Sequence, residues 1–155
     1  MTASEPPTFS IRPAGPGDAA AVRDLTRAAY AKWVPLIGRE PMPMKADYEH
    51  AVREHLVDLL SAGPDLAALI EMIDEGDHLL IENLAVSPAF QGQGCGRRLL
   101  AHAETRAAAL GRPELRLYTN KSFTGNVAFY QRGGYVIDRE EPFKEGFTVY
   151  MSKRI

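Results

Sequence analysis

The sequence predicts a mixed α/β (α+β) fold, in which one mostly antiparallel central sheet carries helices on both faces. Three observations predict it. Between His55 and Val86, three apolar runs, HLVDLL, LAALIEMI and HLLIENLAV, are separated by the turn signals Gly63-Pro64-Asp65 and DEGD, the pattern of an antiparallel meander. A helical stretch lies before this meander and a longer one follows it. Beyond the second helix, strand-like and helical segments alternate to the C-terminus.

In chain order, residues 1–8 read as a loose tail and residues 9–155 as a single domain. Phe9 to Arg12 form a first strand, ended by Pro13. Asp18 is placed to cap a helix in which Ala21, Val22, Leu25, Ala28, Ala29 and Tyr30 recur at helical spacing as far as Trp33. Pro35, Gly38, Pro41 and Pro43 then exclude a long helix, so the chain makes a shaped loop that ends in a short helix from Ala46 to Arg53. HLVDLL extends that helix or starts the meander; the two runs after it favour the strand. A helix follows from Gly96 to Leu110, closed by Gly111 and Pro113. The strand LRLYTN, a short helix from Asn126 to Arg132 and two last strands complete the domain.

Composition narrows the function. The chain has 155 residues, 45% hydrophobic and 25% charged, with a formal charge of -2, so no broad field draws it to nucleic acid or to an anionic membrane. No apolar stretch nears the roughly 20 residues that cross a bilayer, and the start of the chain lacks a signal-peptide pattern. A reducing cytoplasm is the expected compartment. With Cys95 as the only cysteine and four histidines at non-ligating spacings, no metal site is expected.

The most informative segment is Leu79 to Leu100, LLIENLAVSPAFQGQGCGRRLL. An apolar strand enters a loop with Gly92, Gly94 and Gly96, and the loop opens a helix. Free N–H groups at a helix start attract phosphate oxygens, and Arg97 and Arg98 add positive charge. A pyrophosphate ligand fits. A P-loop would need Gly-Lys-Ser/Thr, and a dinucleotide fingerprint would need a third glycine where Arg97 stands and a later acidic residue that Leu115 to Asn120 do not supply.

Gln91-x-x-Gly94-x-Gly96 after a Val-Ser-Pro strand end resembles motif A of the GNAT acetyltransferase superfamily. Asn126-Val-Ala-Phe-Tyr130 followed by Gly134-Tyr135 resembles that superfamily's next helix and strand. The resemblance runs from about Ile11 to Ile155; Gly133 departs from it, where relatives often carry a bulky apolar residue. It implies the acyl-CoA N-acyltransferase fold, acetyl-CoA as co-substrate, and a strand that splays from its neighbour to admit the pantetheine arm. It further implies that Leu84, Ala85 and Val86 offer backbone groups to that arm, with the Val86 N–H placed to stabilise an oxyanion. Backbone N–H groups of Gln91, Gly92, Gln93, Gly94, Cys95, Gly96 and Arg97 would hold the pyrophosphate. Asn126 would bond the arm, and Tyr130 would point at the sulfur.

The chemistry adds its own requirement. An alkylamine with a pKa near about 10 must lose a proton before it attacks a thioester. Glu82 lies two residues before Leu84, and strict alternation puts both on the face of the gap, which makes Glu82 the candidate base, directly or through a water. Tyr130 is the candidate acid for the leaving thiolate. The expected reaction is direct acyl transfer to a primary amine, on a small molecule or a peptide. The runner-up is a non-catalytic CoA-binding sensor, which would require neither Glu82 nor Tyr130. Cys95 is disfavoured as nucleophile because no histidine lies near it in sequence. The segment from Trp33 to Tyr48 suits an acceptor-pocket wall, and His55 is a candidate to reach that pocket from a neighbouring strand. Glu140, Glu141 and Glu145 are candidates to draw in a cation. A homodimer stays open, since exposed strand edges offer one route to it.

Overall fold

A computed structural model describes residues 8–155, so the tail expected at residues 1–8 lies outside the described residues except for Thr8. Seven strands form one sheet: β1 (Phe9–Pro13), β2 (Leu56–Ala62), β3 (Asp65–Asp74), β4 (Leu79–Val86), β5 (Glu114–Asn120), β6 (Val136–Phe143) and β7 (Gly146–Arg154). Their spatial order is β1-β2-β3-β4-β5-β7-β6. Every neighbouring pair is antiparallel except β4 and β5, which run parallel. The helices are α1 (Ala19–Tyr30), α2 (Val34–Ile37), α3 (Tyr48–Glu54), α4 (Cys95–Ala109) and α5 (Thr124–Arg132).

HLVDLL is a strand, because α3 stops at Glu54 and β2 starts at Leu56. Alternation along β2 explains its dense apolar content. Val57 and Leu59 pack on one face with Val22, Leu25 and Ala29 of α1 and with Tyr48 and Ala51 of α3. Leu60 and Ala62 pack on the other face with Leu99, Leu100, Ala103 and Ala107 of α4. The next strand is covered on both sides as well: Leu69 faces the α1 cluster and Ile70 the α4 cluster, each fully buried. A strand sandwiched in this way reads as a continuous apolar run rather than an alternating one. Truncating Leu69 or Ile70 to Ala would cost about 2–5 kcal/mol.

The N-terminus of α1 departs from expectation. Asp18 occupies the capping position, but its carboxylate makes no cap bond to α1. It accepts instead from the Gly15 N–H at 2.8 Å and pairs with Arg12 at 2.9 Å, which closes the turn before the helix. The Pro-rich loop holds the short α2 and a 3-10 turn from Met42 to Lys45, each with a proline in its first turn, as a residue without an N–H allows. At the far edge, β6 is exposed along its whole length. Asp138, Arg139, Glu140, Glu141 and Pro142 give that edge the charge and the missing donor that discourage strand addition. No helix among the described residues is long and apolar enough to cross a membrane.

Candidate active site

The site begins where the one parallel pairing fails. Leu79, Leu80 and Ile81 of β4 pair with Leu115, Arg116 and Leu117 of β5, and pairing ends there. Tyr118, Thr119 and Asn120 pair only with β7, while β4 from Asn83 to Val86 pairs only with β3. The two strands therefore part like a V. Antiparallel alternation decides which peptide groups of β4 face the opening. The Ser87 N–H donates to the Ala67 carbonyl at 2.8 Å, so the neighbouring Val86 turns its peptide groups away from β3, Ala85 turns its own toward β3, and Leu84 again faces the gap. Leu84 and Val86 thus offer free peptide groups to the opening. The peptide groups of Ala85 face β3 instead, although Ala85 also lines the opening.

A register shift in β4 corrects a second expectation. Glu71 pairs with Asn83 but Met72 pairs with Ile81, so Glu82 is the extra residue of a β-bulge. The bulge reverses the faces. Ile81 belongs to the α4 cluster before it; Asn83 and Ala85 face α1 after it, while Leu84 and Val86 pack toward α4. Glu82 and Leu84 consequently line different cavities. Strict alternation misplaced them because it assumes an unbroken pleat.

On one side of the gap a cavity of about 350 Å³ is lined by Leu84, Ala85, Val86, Gln91, Gly92, Gly94, Cys95, Gly96, Arg97 and Asn126. Gln93 does not line it. The first helical bond of α4 runs from the Arg98 N–H to the Gly94 carbonyl at 3.0 Å, which leaves the N–H groups of Cys95, Gly96 and Arg97 without helical acceptors. Gly92 and Gly94 hold φ values of 81° and 79°, the left-handed region that a side chain resists, and so turn the loop into the helix. Gly96 serves packing: a Cβ there would lie 3.0 Å from the Phe129 ring of α5. Arg97 stays at the cavity, whereas Arg98 turns away to sit 4.6 Å over the Phe9 ring. Lys32 and Arg132 supply positive charge that the motif alone did not reveal. Cys95 is buried, its thiol lies 3.8 Å from the Phe90 carbonyl, and burial pushes its pKa up.

Across the gap lies a second cavity of about 550 Å³, whose lining includes Glu71, Glu82, Asn83, His50, His55 and Tyr118. Tyr118 donates its hydroxyl proton to Glu82 at 2.8 Å, spanning the strands where their pairing has stopped. Glu71, 4% exposed, meets His55 Nδ1 at 2.6 Å; burial raises the pKa of this carboxyl, and the His55 contact offsets part of the rise. His55 lies in the link between α3 and β2 rather than on the strand expected for it, and it lines this cavity. From the loop, Ile37, Arg39, Pro41, Met42, Pro43, Lys45 and Tyr48 line this cavity, while Trp33 lines the first cavity and stacks on Phe123 with 4.5 Å between ring centroids. Glu140 and Glu141 lie within β6, pair with Lys121 and Arg139, and do not line this cavity; nor does Glu145.

Tyr130 sits on α5 inside the α4-side core, in ring contact with Phe129 and Tyr135, and does not line either cavity. Burial holds its hydroxyl far above the ordinary phenol range. Asn126, one turn earlier on α5, lines the first cavity. Among the described residues, Tyr30 alone lines both cavities.

Comparison with known proteins agrees with this geometry. A search of curated proteins finds no match. Solved structures share the architecture. The PaiA N-acetyltransferase from Thermoplasma acidophilum in complex with coenzyme A aligns with a TM-score of 0.82 at 18% identity, over 96% of this chain and 99% of that one. The ribosomal-protein-S18-alanine N-acetyltransferase from Escherichia coli aligns at 0.79 and 23% identity, over 96% and 94%. A GNAT family acetyltransferase from Elizabethkingia anophelis with acetyl-CoA bound aligns at 0.72 and 20% identity, over 95% and 98%. A family model described as acetyltransferase (GNAT) family matches residues 21–135, most of the chain, and the protein belongs to that family.

Proposed function

We propose that the protein transfers the acetyl group of acetyl-CoA directly to a primary amine, carried by a small molecule or a peptide, without an acyl-enzyme. One observation carries this reading: a gap in the sheet with free amides on one side and carboxylates on the other. The amides of Cys95, Gly96 and Arg97 suit the diphosphate, helped by the charges of Arg97, Lys32 and Arg132. Leu84 and Val86 meet the pantetheine arm with their peptide groups, and the Asn126 side chain meets it from α5. This arrangement aims the thioester through the gap toward the second cavity.

Glu82 takes the proton of the bound ammonium, directly or through a water, and Tyr118 steadies the carboxylate for that step. The Val86 N–H stabilises the oxyanion that forms as the amine adds. Tyr130, one turn beyond Asn126 on α5, stands behind the first cavity rather than in its lining, and it serves as donor to the departing sulfur only once the bound arm reaches its hydroxyl; its raised pKa keeps that proton in place at neutral pH. Cys95 takes no part, since a buried thiol with a raised pKa is a poor nucleophile. The test is acetyl-CoA turnover across a panel of amines, followed as released thiol. Amine-dependent release is expected, reduced about 10²–10⁴-fold in Glu82→Gln. Tight coenzyme A binding with no amine-dependent release from any member would leave only a CoA-binding module.

A further inference from the structure

Tyr30 stands between the two cavities and lines both, and the hydrogen bonds behind it have only one consistent direction. Tyr48 has a single hydroxyl proton, and its oxygen lies 2.6 Å from the Pro43 carbonyl, which can only accept. Tyr48 therefore donates there, and the Asn83 atom 3.3 Å from the same hydroxyl must be the donor, the amide Nδ2. That nitrogen also reaches Thr26 Oγ1 at 3.2 Å. Fixing Nδ2 fixes Oδ1 as the acceptor that remains, and Tyr30 lies 3.1 Å from it. Tyr30 must then donate its only proton to Asn83. Asn83 and Thr26 are 3% and 0% exposed, so water does not rescue a reversed network.

The consequence falls on the Tyr30 oxygen. With its proton committed inward, it has lone pairs and no donor left to offer between the two cavities. We propose that Tyr30 accepts an N–H of the attacking amine and so turns the nitrogen lone pair toward the thioester carbon. An ammonium that gives one proton to the base keeps two N–H groups on a primary amine, and an acceptor with no donor of its own fixes the direction of one of them. The deep setting of Tyr30 also keeps its phenol protonated, since loss of bulk water raises its pKa. Tyr30 thereby differs from Tyr130: Tyr30 orients the nucleophile and holds its proton, while Tyr130 serves the leaving group.

This inference rests on the amine-transfer reading, and one binding experiment separates the two. The probe is coenzyme A whose sulfur carries –CH2–CO–NH–CH2CH2–phenyl, with the N-methyl amide as its partner and coenzyme A itself as reference, all measured by calorimetry. Wild-type protein is expected to bind the conjugate at least tenfold tighter than coenzyme A, and methylation of the nitrogen is expected to cost about tenfold. Tyr30→Phe, which keeps the ring, is expected to bind coenzyme A unchanged, to lose about tenfold for the conjugate, and to show no preference between the two amides. Equal methylation penalties in both proteins would overturn the role of Tyr30 and leave amine transfer standing. A conjugate that binds wild-type protein no better than coenzyme A would overturn both. Loss of coenzyme A binding in Tyr30→Phe would make the residue a structural support and overturn the assignment as well.

Discussion

Tyr130 carries an expectation about pH. Burial holds the Tyr130 hydroxyl well above the usual phenol range, so it stays protonated throughout about pH 6 to 9. Tyr130→Phe removes a proton donor whose state does not change across that window, so kcat is expected to fall by a similar factor, about 10²-fold, at every pH in it. A loss confined to one end of the window would contradict the assignment. Glu82 was legible as a carboxylate in an apolar strand, but its face was not, because a bulge leaves no mark in a single sequence when no glycine announces it. Glu71 did leave a mark: it is the only charge inside LAALIEMI, and a buried charge needs a partner, here His55. Tyr30 read as one more apolar position of α1. Its role depends on Asn83, 53 positions away, and no local pattern reports such a meeting.

At the scale of elements, the helix-opening loop was the most legible part of the site, because its glycines are demanded by local geometry. Gly94 holds φ at 79°, where an L-residue pays about 1–2 kcal/mol. Gly94→Ala is therefore expected to weaken coenzyme A binding by about tenfold as the loop relaxes and the free amides re-aim. Gly96 is needed for another reason, which spacing alone could not disclose. Its missing Cβ leaves room for the Phe129 ring, so Gly96→Ala should destabilise the fold by about 1–3 kcal/mol, and Phe129→Leu in the same chain should recover part of that. Urea melts of the single and double variants check it. The turn before α1 gives a pH-dependent case. The Arg12 guanidinium, and then the Gly15 N–H, hold the Asp18 carboxyl at about 2 against an ordinary 3.8. A depressed carboxyl stabilises the fold above its ordinary pKa, and the benefit disappears as pH falls through the lower value. Because Arg12 is largely exposed, the amount is modest, about 0.5–1 kcal/mol. Asp18→Asn should melt earlier in urea at pH 7 and no earlier than wild type near pH 2.

At the scale of the molecule, the sheet is divided at the seam that makes it useful. β4 and β5 pair only from Leu79 to Ile81 and from Leu115 to Leu117, so β1 to β4 and β5 to β7 are joined by a short hinge of parallel ladder beneath the α4 core. The order of elements predicted the sheet, but the V requires knowing where pairing stops, which is after Ile81 and Leu117, next to the bulge at Glu82. A ligand seated on the start of α4, on the free edge of β4 and on α5 would tie these parts together. Coenzyme A at 100 times its Kd should therefore add about 2.7 kcal/mol of stability, which for a chain of this size raises Tm by about 5–10 °C. ATP or NAD at the same concentration should add far less, since neither carries an arm that reaches the strand. Hydrogen exchange gives the finer reading. The Leu84 and Val86 amides face the gap and lack sheet partners, whereas Ala85 is already bonded to β3. Coenzyme A should slow exchange at Leu84 and Val86 and change Ala85 little, a pattern of alternate residues that general tightening of the fold would not produce. Equal protection at all three positions would mean that the coenzyme closes the molecule without lying along β4.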